Sequence, residues 1–255
     1  MLSSTSKKNL LSIIFDLGKE AELIRKSNLE IDFKEDNSPI TKADRLINDE
    51  LNKYFENTKY KNVISEENIE ISYEERRAWE YFWCIDPIDG TKEYISNGSD
   101  YTINVALCFV NQPVFSVVYA PARNELYVAE KSQGATRNNK KIVVDKKFSS
   151  SINIVASKSH LNTETQNFIN SISSDHDISL LQYGSSLKIC KIAEGTAHLY
   201  PRFGHTMEWD TCASDLILKE AGGNITDLSR NELIYNKENL LNPFFIAKAK
   251  ELNIS

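Results

Sequence analysis

The sequence predicts an α+β protein whose C-terminal part turns to α/β, in two subdomains spanning residues 1–150 and 151–255. Three observations lead there. Apolar residues recur at helical spacing from Leu10 to Ile24 and again from Leu46 to Phe55. Short β-rich runs then follow one another from Tyr81 to Ala129, the spacing of consecutive antiparallel strands. From Ile152 onward, strand-like and helix-like runs alternate, which argues for an α/β layer.

Each element has a local reason. Leu10, Ile13, Ile14, Leu17, Ala21 and Ile24 form the apolar stripe of a helix from Ser6 to about Lys26. Pro39 keeps Ser38 out of a helix, so Phe33 to Ile40 is a polar loop. Thr41 suits an N-cap for a helix reaching Phe55, with Leu46, Ile47, Leu51, Tyr54 and Phe55 buried. Val63 to Glu67 is a short strand ending in two acids, and Tyr81 to Ile85 is an aromatic, buried strand. Strands are expected over Tyr101–Val110, Val114–Tyr119 and Glu125–Ala129. A lysine- and serine-rich connector, Lys140 to Ser151, leads to strands at Ile152–Ala156, Ile178–Gln182 and Ala197–Pro201. Helices are expected at Thr163–Ile172, Ser186–Ala193 and Trp209–Ala221, the last closed by Gly222-Gly223.

Composition narrows the function. The 255 residues are 41% hydrophobic, enough for one large domain or two of ordinary size. A net charge of −6 argues against general nucleic-acid binding, which needs a basic face, but leaves room for a small anionic substrate held by local cations. Cys84, Cys108, Cys190 and Cys212 are far apart in apolar surroundings, so buried free thiols are expected and not a zinc site or disulfides. The apolar run Leu10–Phe15 is too short for a signal peptide, and nothing approaches the ~20 apolar residues of a membrane span. A cytoplasmic protein with no integral membrane segment is expected; a peripheral position at the inner face of the membrane stays open.

The chemistry is expected at Asp86-Pro87-Ile88-Asp89-Gly90-Thr91, just past the aromatic strand. Pro87 removes a backbone donor and is expected to stop the ladder, and Gly90 permits a tight turn, which can aim Asp86 and Asp89 at one point with the Ile88 carbonyl between them. Two carboxylates and a carbonyl make an all-oxygen site for a hard cation, Mg²⁺ above all. The same residues also suit an ordinary turn. Read alone, Glu66 is a solvated acid at a strand end, while Asp44 and Asp210 are acids that complement helix dipoles.

Taken together, Glu66, the Asp86–Thr91 turn and Trp209-Asp210 resemble the signature of the lithium-sensitive, Mg²⁺-dependent phosphatases of the inositol monophosphatase-like superfamily. Asp36–Asp44, Thr91–Ile95, Gly184–Lys188 and Tyr200–Gly204 resemble its 3'(2'),5'-bisphosphate nucleotidase branch, the CysQ type, as does Lys92-Glu93 after Thr91. The resemblance implies a layered αβαβα fold of two subdomains with the site between them. It implies that Glu66, Asp86, the Ile88 carbonyl, Asp89 and Asp210 hold two or three Mg²⁺ ions. Glu66 and Asp86 would hold the ion that carries the attacking water, which Thr91, hydrogen-bonded to Asp44, would orient. Amides at Gly90 and Thr91 would bind phosphate, Asp210 would border the substrate, and Ser185, Lys188 and Arg202 would hold a second phosphate, with His160 near the nucleotide. The implied reaction is hydrolysis of the 3'-phosphate of 3'-phosphoadenosine 5'-phosphate; the alternative is a broader inositol- or sugar-phosphate monoesterase.

Overall fold

Ser3 opens the first helix, α1 (Ser4–Lys26), by accepting the Ser6 amide, and Arg25 and Lys26 complement the negative end of its dipole. The computed structural model describes residues 2–27, 29–68, 71–146, 151–156, 162–173 and 176–252. After α1 comes an antiparallel hairpin of β1 (Ile31–Phe33) and β2 (Pro39–Thr41), then α2 (Lys42–Glu56), capped by Thr41 as its sequence predicts. A seven-stranded sheet follows: β3 (Val63–Ser65), β4 (Tyr81–Asp89), β5 (Thr102–Phe109), β6 (Gln112–Ala120), β7 (Glu125–Glu130), β8 (Gly134–Arg137) and β9 (Lys140–Ile142), in sequential order. The β3–β4 pair is parallel and the remaining pairs antiparallel. Short helices α3 (Tyr73–Arg76) and α4 (Thr91–Ile95) flank β4.

The C-terminal part runs β10 (Ser151–Ala156), α5 (Thr163–Ile172), β11 (Asp177–Gln182), α6 (Leu187–Ala193), β12 (Leu199–Arg202), α7 (Glu208–Glu220), β13 (Gly223–Asp227) and β14 (Phe245–Ala249). Its strands form a five-stranded sheet in the order β11-β10-β12-β14-β13. Helices α1 and α2 pack on the seven-stranded sheet, α6 and α7 lie between the two sheets, and α5 packs against β12. The result is the layered αβαβα arrangement. None of the described helices is long and apolar enough to cross a membrane.

Period-2 alternation divides the core. On β4, Phe82 and Cys84 face the cluster that includes α7, while Trp83 and Ile85 face α1 and α2; Ala106 and Cys108 split from Val105 and Leu107 on β5 in the same way. Helix α7 is covered on nearly every side, with Trp209 and Thr211 through Leu218 all buried, as a helix between two sheets must be. At Gly18 a side chain would meet the Tyr119 ring at 2.4 Å, so glycine there lets α1 close onto β6. Four free cysteines are buried as expected. Cys108 and Cys212 bring their sulfurs to 3.3 Å across the junction of the sheet with α7. Cys84 interacts with Cys212 from β4.

Two expectations are corrected here. Pro87 does not end the β4 ladder: pairing with β5 is irregular between Asp86 and Asp89 and resumes at Asp89–Thr102. One missing donor is absorbed as a bulge-like shift because the flanking strand is long and buried on both faces. The strand expected over Ala197–Pro201 lies at Leu199–Arg202, held in register by four residues of β14.

Trp83 anchors the α1/α2 side. It is fully buried, stacks on Phe55 at 4.2 Å between centroids, and its indole N–H donates to the Tyr60 carbonyl at 2.9 Å. Trp83→Ala is expected to cost about 3–5 kcal/mol, read as a lowered urea midpoint. A loss under ~1 kcal/mol would mean that this side collapses around the gap and has its anchor elsewhere.

Candidate active site at the junction of the two sheets

Three carboxylates converge where the end of β4 meets the start of α7. One oxygen from each of Asp86, Asp89 and Asp210 lies within 4.8 Å of the others. Asp86 is 1% exposed and, among the described residues, neither of its carboxylate oxygens has a hydrogen-bond partner. Burial, followed by the charges of Glu66, Asp89, Asp210 and Asp44, pushes its pKa far above the usual carboxylate range. Burial and then Asp89 raise Asp210 to about 8, against a smaller opposing effect of Arg202. Burial raises Asp44 to about 6.

The other carboxylates divide their oxygens between scaffold and site. Asp89 Oδ2 accepts the Ser186 amide at 2.6 Å, and the Ser186 hydroxyl lies 2.9 Å away; Asn104 and Thr102 approach at 3.3 and 3.5 Å. Asp210 Oδ2 accepts the Met207 amide at 2.8 Å and so closes the start of α7. Asp44 Oδ2 accepts the amide and hydroxyl of Thr41 at 2.8 and 2.5 Å and does the same for α2. Among the described residues, no hydrogen bond reaches Oδ1 of these three aspartates. The start of α7 is itself tied down by buried Glu208, which takes the Asn236 and Lys237 amides and the Lys237 ammonium.

Glu66 follows β3 and lies beside β4 through its amide bond to the Ile85 carbonyl at 3.3 Å. It is paired with Lys34 at 2.9 Å, and the same ammonium holds Glu67 at 2.8 Å. Gly90 takes the left-handed conformation at φ +89, and a Cβ there would fall 2.2 Å from the Ser185 hydroxyl, so both backbone and space require glycine.

Two expected contacts take another form. The Thr91 hydroxyl donates to the Ile88 carbonyl at 3.2 Å, while Asp44 is engaged by Thr41. Helix α4 starts at Thr91 and brings its hydroxyl back over the turn to the Ile88 carbonyl three residues earlier. The Ser185 hydroxyl is committed to the Asp89 and Asp100 carbonyls at 2.7 and 2.6 Å, with Ser185 itself left-handed at φ +50. It therefore fixes the backbone of the turn.

Lys188 and Arg202 border the same cleft of about 140 Å³ as Asp89, Gly90, Tyr200 and Asp210. Lys188 is 9% exposed with its ammonium 5.4 Å from the Tyr200 ring centre. Among the described residues the buried Arg202 Nε has no hydrogen-bond partner. The Arg202 Nη2 donates to the His205 carbonyl at 2.9 Å. His160 lies outside the described residues.

Sequence reasoning missed Lys34, Asn104 and Ser186. Asn104 left a signal, a polar residue between Ile103 and Val105 in a buried strand. Ser186 looked like a helix start within the Gly184–Lys188 stretch, with no role of its own, and Lys34 like one charge in a polar loop.

The donor set fits a hard divalent cation: every atom is oxygen, and the buried Asp86 carboxylate has no other source of compensation. A pH experiment follows. In the metal-free chain Asp86 and Asp210 keep protons that the unfolded chain has lost above about pH 4. Unfolding then releases protons, so stability falls as pH rises from about 4 towards 8. With a chelator present the melting temperature is expected to drop by roughly 5 °C or more between pH 5 and pH 8. Millimolar Mg²⁺ should remove that slope, since a cation replaces the protons. A flat profile in chelator would separate these carboxylates from one another.

Comparison with known proteins identifies the family. The sequence pattern of the inositol monophosphatase family matches residues 6–252. The 3'(2'),5'-bisphosphate nucleotidase CysQ of Haemophilus influenzae is 33% identical over 249 residues, covering 93% of this chain and 90% of its own. That of Escherichia coli K12 is 36% identical over 225 residues, covering 85% of this chain and 88% of its own. The crystal structure of CysQ from Bacteroides thetaiotaomicron superposes with a TM-score of 0.84 at 35% identity, covering 94% of this chain and 95% of that one. The chain therefore belongs to the inositol monophosphatase family, a family of metal-dependent phosphatases, and is an enzyme of that kind.

Proposed function

We propose that this chain is a Mg²⁺-dependent nucleotidase that removes the 3'-phosphate of 3'-phosphoadenosine 5'-phosphate, releasing AMP and phosphate. The observation that carries this reading is the pair of cations, Lys188 and Arg202, in the same cleft as the acidic cluster. A lysine that lines the cleft and a buried guanidinium nitrogen that lacks a partner among the described residues call for an anion of their own, beside the phosphate under attack. A monophosphate has nothing to place there; a bisphosphate does. The names of the relatives at 33–36% identity point the same way.

Glu66, Asp86, the Ile88 carbonyl, Asp89 and Asp210 are the proposed cation ligands. Bound divalent cations would supply Lewis acidity, meaning water acidified for attack and positive charge against the phosphoryl oxygens. The amides of Gly90 and Thr91 are the proposed donors to those oxygens, at the start of α4. Thr91 and Asp44 are the proposed pair that orients the water. For that, the Thr91 hydroxyl exchanges the Ile88 carbonyl for the free oxygen of Asp44.

Two experiments test this. Thr91→Ala is expected to lower kcat by roughly 10²-fold or more with little change in KM, while Thr91→Ser keeps most activity. Equal losses would make Thr91 a packing residue. The second follows free phosphate from 3'-phosphoadenosine 5'-phosphate, adenosine 3'-phosphate and inositol 1-phosphate with Mg²⁺. Each charged hydrogen bond contributes ~1.5–3 kcal/mol, so Lys188→Ala or Arg202→Ala should cut kcat/KM for the bisphosphate by roughly 10–150-fold. The monophosphates should change little. If both classes slow equally, these residues do not read a second phosphate, and the broader phosphatase becomes the better reading.

A further inference from the structure

Asp89 and Asp210 reach the site from opposite parts of the fold, one at the end of β4 and the other in the first turn of α7. The Ser186 side chain lies between them. The Ser186 hydroxyl is 2.9 Å from Asp89 Oδ2 and 2.7 Å from the Asp210 carbonyl oxygen, and it accepts from Asn104 at 2.9 Å. Its amide donates to the same Asp89 oxygen at 2.6 Å. Ser186 is 2% exposed, so no solvent substitutes for these bonds. The preceding residues hold it in place. Gly184 donates to the Asp100 carboxylate at 3.1 Å, and the left-handed Ser185 clamps the Asp89 and Asp100 carbonyls.

We infer that Ser186, supported by Asn104, is a positioning residue: it fixes which Asp89 oxygen faces the cation and how far Asp89 stands from Asp210. The inference rests on the cation-binding reading above. A carboxylate free to rotate can offer either oxygen, or both. With Oδ2 filled by the Ser186 amide and by the Ser186 or Asn104 side chain, Asp89 has one oxygen left to give. The hydroxyl has one proton for two acceptors, Asp89 Oδ2 and the Asp210 carbonyl, while Asn104 supplies the other donor. So the bridge holds both ligands without competing for the cation. Removing a hydrogen-bond partner of a ligand, while leaving the ligand itself, typically weakens metal binding ~10–100-fold.

The test titrates Mg²⁺ alone into the full metal-free chain by calorimetry, comparing wild type with Ser186→Ala, Asn104→Ala and Asp89→Asn. Ser186→Ala is expected to weaken Mg²⁺ binding by ~10–100-fold, and Asn104→Ala by a smaller factor. The Mg²⁺ concentration for half-maximal turnover should shift in step, with KM for the nucleotide at saturating Mg²⁺ moving less than about twofold. A merely structural serine would instead lower the melting temperature of the metal-free chain and leave the Mg²⁺ affinity of the folded protein intact. Binding to Ser186→Ala within about twofold of wild type, with Asp89→Asn impaired, removes Ser186 from this role and leaves the cation site standing. Failure of the wild type to take up Mg²⁺ removes both. Should Ser186→Ala fail to fold, Asn104→Ala decides: unchanged affinity there overturns the inference.

Discussion

Asp86 carries a carboxylate into the interior with no donor on either oxygen among the described residues, and four other acids act on it. An uncompensated charge in such a place is costly enough that the group holds a proton until something positive arrives. Much of the surrounding structure can be understood as the means of keeping these acids together despite their repulsion. Strand β4 is pinned between β3 and β5, α7 is enclosed on nearly all sides, and Glu208 anchors the start of that helix in the chain around Asn236. Lys34 sits on Glu66 at the edge of the cluster.

The aspartates also show how a structural role and a chemical one coexist in a single side chain. An early-helix aspartate ordinarily serves its own helix, and Asp44 and Asp210 do so with one oxygen each. The second oxygen remains available. Capping therefore orients the carboxylate, because closing the helix start determines where the other oxygen points. Asp89 is held by the same logic, but its partners come from β5 and α6.

Local pattern made much of the fold legible. Helical periodicity placed α1, α2 and α7 within a few residues, and the run of β-rich segments placed β4 to β7. Strands β1, β2, β8 and β9 escaped because three or four residues are too few to show an alternating pattern, and β13 and β14 because their pairing joins segments about twenty residues or more apart. The acids of the cluster were visible as motifs, and the structure brings Asp86, Asp89 and Asp210 together. Their supports were not visible: Ser186 meets Asp89 across 97 positions of chain, and no local spacing encodes such a contact. The hydrogen bonds of the Ser185 hydroxyl to the Asp89 and Asp100 carbonyls were hidden for the same reason.

The three thiols behind the acidic cluster give the chain a property unrelated to phosphate chemistry. Cys84 and Cys108 come from the sheet and Cys212 from α7, so they meet where those two layers join. Burial raises the pKa of Cys108 and Cys212, leaving little thiolate at neutral pH. A thiol reagent can reach them only when the layers part. Their rate of labelling therefore measures how often that junction opens, two residues away from Asp86 and Asp210, without any engineered probe.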